Sequence, residues 1–162
     1  MTRMQQAVAI PLGINALRAR TGEVIGASPW LAVEQSRIDA FAETTLDHQF
    51  IHVDPVRAQA TPLGSTIAHG FLTLSLLSHF AEAVLPEISG LAMSMNYGFD
   101  RVRFVTPVRA GSRVRGVFTL AALEQQADHR FQMRLAVTIE IEGETKPALV
   151  ADWLTVLFMV QN

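Results

Sequence analysis

From His69 to Leu85 the sequence reads H-G-F-L-T-L-S-L-L-S-H-F-A-E-A-V-L. Wound as a helix, it puts apolar side chains on nearly every face: Phe71, Leu72, Leu74, Leu76, Leu77, Phe80, Ala81 and Val84. A helix that is apolar all round is a buried helix. At about 15 residues it would be about 22 Å long, enough to cross a small domain. The rest of the chain must therefore wrap it.

The wrapping layer follows in the sequence. Beyond about Ala92 the chain reads as strand: Met93–Val105, Arg113–Leu123, Phe131–Glu142 and Leu149–Val160. Asn96-Tyr97-Gly98 interrupts the first of these, where glycine signals a bulge or a close backbone approach. Pro107–Gly111 reads as a turn, polar Glu124–Arg130 separates the second and third runs, and Gly143–Lys146 reads as a hairpin loop. One long helix followed by hairpin-connected strands predicts an α+β architecture, an antiparallel sheet packed on the helix.

The first half is shorter-ranged. Ile14–Arg20 predicts one or two helical turns stopped by Gly22, and Trp30–Val33 a short strand. From Glu34 to Leu46 the spacing of Ile38, Phe41, Ala42 and Thr45 is helical, with Glu34 at the end favoured by the helix dipole. Asp47–Val53 suits a helix poorly, since Phe50, Ile51 and Val53 lose side-chain freedom there. Asp54-Pro55 then reads as an N-cap with proline at the first helical position, opening a short helix through Ala60. At 162 residues the chain is expected to be a single domain over 1–162, with residues 1–27 as an N-terminal extension.

Apolar residues make up 49% of the chain and mean hydropathy is +0.25, which calls for a large core and a buried subunit interface. The apolar run is broken by His69, Ser75, Ser78, His79 and Glu82, so no membrane span is expected. The start, M-T-R-M-Q-Q before the short patch Ala7–Leu12, does not read as a secretory signal. Cysteine is absent, which rules out disulfides and Cys-ligated metal and fits a cytoplasmic protein. A pI near 6.2, with no aromatic-basic repeat, argues against nucleic acid as a partner. Of 13 basic residues 12 are arginine, and five lie at Arg101, Arg103, Arg109, Arg113 and Arg115. They offer a local anion site or simply solvated strand faces.

The chemistry concentrates before the long helix. Asp47 and His52 are five apart, and on a helix they would point about 140° apart. An irregular segment lets them converge beside apolar Phe50 and Ile51. An imidazole titrating near neutrality, with a carboxylate to fix it, can hold and activate a water; a loop Asp and His capping backbone groups is the plainer alternative. His48 and His52 have a spacing that would suit zinc on a helix, but the segment reads as non-helical and offers no third ligand, so no metal is expected. His69 reads as structural, positioning the helix start, and His79 as a surface or packing residue.

D-H-Q-F-I-H at 47–52, followed by five residues and Ala58, resembles the hydratase-2 motif G-D-x-N-P-x-H-x5-A/S of MaoC-like (R)-specific enoyl-CoA hydratases. A-H-G-F at 68–71 and V-R-F-V-T-P-V-R-A-G-S at 102–112 resemble the same family, in its nodulation-protein-N-like branch. Leu46, Gln49 and Phe50 depart from the motif's glycine, asparagine and proline. The resemblance implies a hotdog fold, a long central helix wrapped by an antiparallel sheet, usually dimeric. It implies an acyl thioester substrate, with coenzyme A or acyl carrier protein as part of that substrate and no other cofactor. It assigns Asp47 and His52 to the hydration of a trans-2-enoyl thioester. It gives Gly70 an N–H for the thioester oxyanion, at a helix start where that N–H is free. It gives Ser78 a hydrogen bond to the catalytic aspartate, against which stands back-bonding to the Leu74 carbonyl. Phe50 and Ile51 would line the substrate site, and Arg101 and Arg103 would meet coenzyme A phosphates. The alternatives are a hotdog thioesterase, whose acid would sit on the long helix as Glu82 does, and a non-catalytic acyl-binding domain.

Overall fold

The computed structural model describes residues 10–161. Residues 1–9, on which the reading of the N-terminus mostly rests, lie outside this range. Six helices and six strands run in the order α1 (Ile14–Ala19), β1 (Val24–Ala27), β2 (Leu31–Ala32), α2 (Gln35–Thr45), α3 (Phe50–Val53), α4 (Pro55–Gln59), α5 (Gly70–Ser75), α6 (Leu77–Glu82), β3 (Leu91–Phe104), β4 (Arg113–Ala127), β5 (Arg130–Ile141) and β6 (Leu149–Met159). The strands form one antiparallel sheet in the order β1-β4-β5-β6-β3, with β2 also on β4. Among the described residues no helix is long and apolar enough to cross a membrane.

Alternation along the strands builds the core. In β5, Phe131, Met133, Leu135, Val137, Ile139 and Ile141 are all buried and face the helices, while the residues between them are partly or fully exposed. Phe80 and Leu77 of α6 lie fully buried against Phe118 and Leu120 of β4 and Leu135 of β5. A side chain such as Phe80 contributes about 1.5–3 kcal/mol by leaving water. The helix comes especially close at Gly116, where an added Cβ would sit 2.9 Å from Phe80 Cβ and 2.8 Å from Phe118 Cε2.

Three expectations need correcting. The long helix is two six-residue pieces divided at Leu76, whose ψ of −10° tightens the turn. Ser75 Oγ donates to the Leu72 carbonyl at 2.7 Å, and a helical serine bonding back to an upstream carbonyl bends its helix. Nor is this helix buried all round, for Phe71, Ser75, Ser78, His79 and Glu82 are exposed. Second, residues 10–27 are not an appendage. Leu17 is buried in the core, Leu12 donates to the Glu87 carbonyl at 2.8 Å, and β1 completes the sheet on β4. Third, Glu124–Arg130 is mostly ladder, with only Asp128-His129 as its turn. His129 takes φ 59°, as a two-residue hairpin demands.

Other readings hold. Asp54 Oδ1 accepts from Arg57 N at 3.0 Å with Pro55 opening α4. The register of β3 on β6 shifts between Asn96 and Gly98, which is the expected bulge. No atom lies near enough to Gly98 to signal a close approach.

Candidate active site

Helix α2 ends on Leu46, which takes the left-handed conformation at φ 62°, ψ 22°. Only glycine adopts this conformation without the crowding of Cβ against the following carbonyl, a cost of roughly 1–2 kcal/mol. The reversal swings Asp47 off the helix axis, and Gln49 then starts the single turn α3 that carries His52. The segment is thus irregular over 47–49 and helical over 50–53, which lets the two side chains meet. Leu46 itself is 80% exposed, so its side chain holds nothing in place. Leu46→Gly should therefore raise stability by roughly 0.5–1 kcal/mol, read as a higher urea midpoint with unchanged slope.

His52 is buried and held on both sides. Its Nδ1–H donates to the Ile67 carbonyl at 2.7 Å, and Ile67 N donates to the Ile51 carbonyl at 3.0 Å. The His52 carbonyl accepts from Gln35 Nε2 at 2.7 Å, and the same amide's oxygen accepts from the buried Thr66 hydroxyl. With Nδ1 engaged, the lone pair of neutral His52 is on Nε2. Burial, foremost, and the neighbouring His69 push its pKa below the usual 6.5, against the opposing pull of the Ile67 carbonyl bond and Asp47. His52 is therefore a neutral imidazole at physiological pH.

His69 has a larger part than fixing a helix start. Its Nε2–H donates to the Asp47 main-chain carbonyl at 3.0 Å. Its ring stacks on His52, centroids 3.8 Å apart and planes 23° apart, and packs on Phe41 from the other direction. Its Nδ1 is buried without a partner. An Asp47 carboxylate oxygen and one ring nitrogen from each histidine lie within 4.8 Å of one another. This trio is poorly arranged for a metal. An imidazole binds an ion in its own plane at about 2.1 Å, and two rings stacked nearly parallel share no such point. The His48–His52 spacing brings no pair together: His48 is exposed and lies 3.6 Å from Glu43.

Beside His52 lies a cavity of about 300 Å³ bordered by Gly70, Thr73, Phe104 and the 105–108 segment. Gly70 is the first residue of α5, so its N–H has no partner within the helix. A Cβ on Gly70 would come within 3.0 Å of the Phe104 ring, so glycine is also what lets that ring lie against the helix start.

Other expected residues are placed differently. Phe50 carries the Arg57 guanidinium over its ring at 4.2 Å, and neither Phe50 nor Ile51 borders the cavity. Ser78 is exposed and makes neither expected bond, to Asp47 or to the Leu74 carbonyl; it lines a separate groove. Arg101 is paired with Asp152 at 3.4 Å, and Arg113 and Arg115 with Glu142 and Glu140. Among the described residues Arg103 bonds only the Val102 carbonyl, while Arg109 lines a cavity that shares Ile67, Thr106 and Pro107 with the His52 cavity. Gln35, Thr66 and the contacts of His69 escaped the sequence reading. Only the histidine carried a signal, its place immediately before Gly70.

Comparison with known proteins fits this geometry. The family model described as "MaoC like domain" matches residues 17–142. Nodulation protein N of Rhizobium leguminosarum bv. viciae is 48% identical over 147 residues, covering 90% of this chain and 91% of that one. The 3-hydroxyacyl-thioester dehydratase Z of Mycobacterium tuberculosis is 44% identical over 136 residues, covering 84% and 89%. The solved (R)-hydratase from A. caviae, described as involved in PHA biosynthesis, superposes with a TM-score of 0.68 at 25% identity, covering 82% of this chain and 95% of that one. With an antiparallel sheet against the α5–α6 helix, and a family match over most of its length, the chain has the hotdog fold and belongs to the MaoC-like dehydratase family.

Proposed function

We propose that the protein adds water reversibly to a trans-2-enoyl thioester, giving a 3-hydroxyacyl thioester, with Asp47 and His52 holding and activating the water. The observation that carries this reading is the meeting of the Asp47 carboxylate with a buried, neutral His52 beside a cavity bordered by Gly70. His52 Nε2 takes a proton from the water as its oxygen bonds to C3. Charge moves onto the thioester oxygen, where the Gly70 N–H would stabilise it. The proton is then delivered to C2, and the second water hydrogen stays on the new hydroxyl. Asp47 orients the water and offsets the charge that develops on His52. The (R) configuration is carried over from the names of similar proteins, as is the thioester. Either coenzyme A or acyl carrier protein would be the carrier, and no further cofactor is required. Arg109 is better placed than Arg101 to meet a carrier phosphate, because Asp152 already neutralises Arg101.

The test is direct. Purified protein is given crotonyl-CoA and longer enoyl-CoAs, with loss of the conjugated double bond and release of free thiol followed separately. Hydration without thiol release is expected. Dominant thiol release would establish the thioesterase alternative, which would have to use Glu82, exposed and away from the His52 cavity.

The stacked histidines give a second prediction. His69→Leu should lower turnover about tenfold by freeing the Asp47 backbone. It should also move the acid limb of the pH–rate profile to higher pH, because a neighbour that depresses the His52 pKa is gone. His69→Gln, whose amide can still donate to Asp47, should recover turnover but keep the shifted limb. An unmoved limb in both variants would make His69 merely structural.

The homodimer also belongs to this reading. Among the described residues β3 is the last strand of the sheet, 14 residues long with one edge unpaired. It exposes Met93, Met95 and Tyr97. Monomeric proteins rarely leave such a strand bare, and a second copy paired along it would cover both the edge and the apolar side chains.

A further inference from the structure

Between the α5–α6 helix and the β3–β6 edge runs a groove distinct from the His52 cavity. It consists of two cavities of about 320 and 230 Å³ that share Ser78, Asn96 and Trp153. Ser75, Ser94 and Thr155 complete its uncharged polar lining. Asn96 and Thr155 are paired across β3 and β6, so they share a face. Trp153 and Thr155 are each about 95% buried, yet the indole N–H and the threonine hydroxyl have no partner among the described residues. Two such groups in one groove are unusual, since a buried unsatisfied polar group costs about 1–3 kcal/mol. At one end Phe71 lines the groove, and its ring packs edge-on against Phe104 at 5.9 Å. Phe104 in turn borders the His52 cavity. The Phe71–Phe104 pair thus joins the lining of the groove to the lining of the cavity that Gly70 borders.

We propose that this groove receives the acyl part of the substrate and favours chains bearing a neutral oxygen, a hydroxyl or keto group, over plain hydrocarbon chains. This rests on the thioester reading above and names its substrate class. Among the described residues no Lys, Arg or His lines the groove, and the exposed Glu82 stands at its border, so a chain ending in carboxylate is disfavoured. Hydroxyls, an amide and an indole N–H match an uncharged oxygen, a keto group that accepts or a hydroxyl that also donates. A methylene chain in the same place would leave Trp153 Nε1 and Thr155 Oγ1 without a partner. A site built to hydrogen-bond a substrate hydroxyl discriminates strongly against the analogue lacking it.

The experiment compares trans-2-octenoyl-CoA with the same thioester hydroxylated at successive carbons toward the chain end, using the full-length protein. At least one hydroxylated substrate should show kcat/KM about tenfold above the plain chain. Thr155→Val should abolish that preference. Thr155→Ser should keep the preference. Trp153→Phe serves the same purpose if Thr155→Val fails to fold. Hydration with no preference for any hydroxylated chain, or a preference that survives Thr155→Val, overturns the groove assignment and leaves the hydratase reading standing. If no thioester is hydrated, the hydratase reading fails by itself. Calorimetric titration with octanoyl-CoA and its hydroxylated forms then decides the groove: a Kd lower by about tenfold for a hydroxylated form supports it, and equal affinities overturn it.

Discussion

Asp47→Asn and His52→Asn each lower turnover of an enoyl thioester by at least about 100-fold, the usual scale for a group that moves a proton in the rate-limiting step. Asn at position 52 is the sharper replacement. Its amide can still donate to the Ile67 carbonyl, so the backbone arrangement around α3 survives while the basic nitrogen is lost. Alanine there would leave that carbonyl short of a donor in a buried place, at about 1–3 kcal/mol. Lost stability would then be confused with lost chemistry. Asp47 is exposed, and its variant should fold like the parent. The double variant should be little slower than either single one, because both groups act on one water. In the parent, activity should persist as pH falls through 6.5, since His52 must be neutral to act and burial holds its pKa below that value. Loss of the conjugated enoyl absorbance measures all of this. Near-parental rates in both single variants would remove these residues from the mechanism.

The largest expected effect on stability lies elsewhere, at Gly116→Val. Gly116 is on β4 with its bare face toward α6. A Cβ there meets Phe80 Cβ at 2.9 Å and the Phe118 ring at 2.8 Å. Both phenylalanines are fully buried, and Phe80 Cβ moves only with its backbone, so the helix itself would have to shift. Overpacking of this kind costs about 1–3 kcal/mol for small intrusions. Valine's two further methyls should take it to at least about 3 kcal/mol, a fall in Tm of roughly 6 °C or more for a domain of this size. Gly98→Ala is the control, with nothing within 4 Å of the new methyl and therefore little expected change.

What could be read before folding follows from range. Period-two and period-3.6 patterns and local caps are written within a few residues, so the strands of the second half, α2 and the Asp54-Pro55 start of α4 were legible. So was the β3 bulge. The break at Leu76 was not, because it depends on whether Ser75 turns its hydroxyl inward or outward. The polar end of the β4–β5 hairpin hid its ladder, since backbone pairing needs no apolar side chains once both faces meet water. At the site, the Asp47–His52 pair was visible as a motif. Its supports were not: Gln35 reaches His52 across 17 positions and Thr66 reaches Gln35 across 31. Ser78 shows the opposite failure. It stands in a largely apolar run, yet it faces the open groove, because helix faces are assigned by the sheet beneath and not by the composition of the run.

The unpaired edge of β3 makes stability a property of the solution as well as of the chain. On the proposed dimer, mass action ties unfolding to association, so the melting temperature should climb with protein concentration. Diluted protomers would offer a long row of free amides and carbonyls, with methionine and tyrosine beside them, to any other strand. That is a template for aggregation. A protein of this design is therefore safest where it is abundant, and most adhesive when scarce.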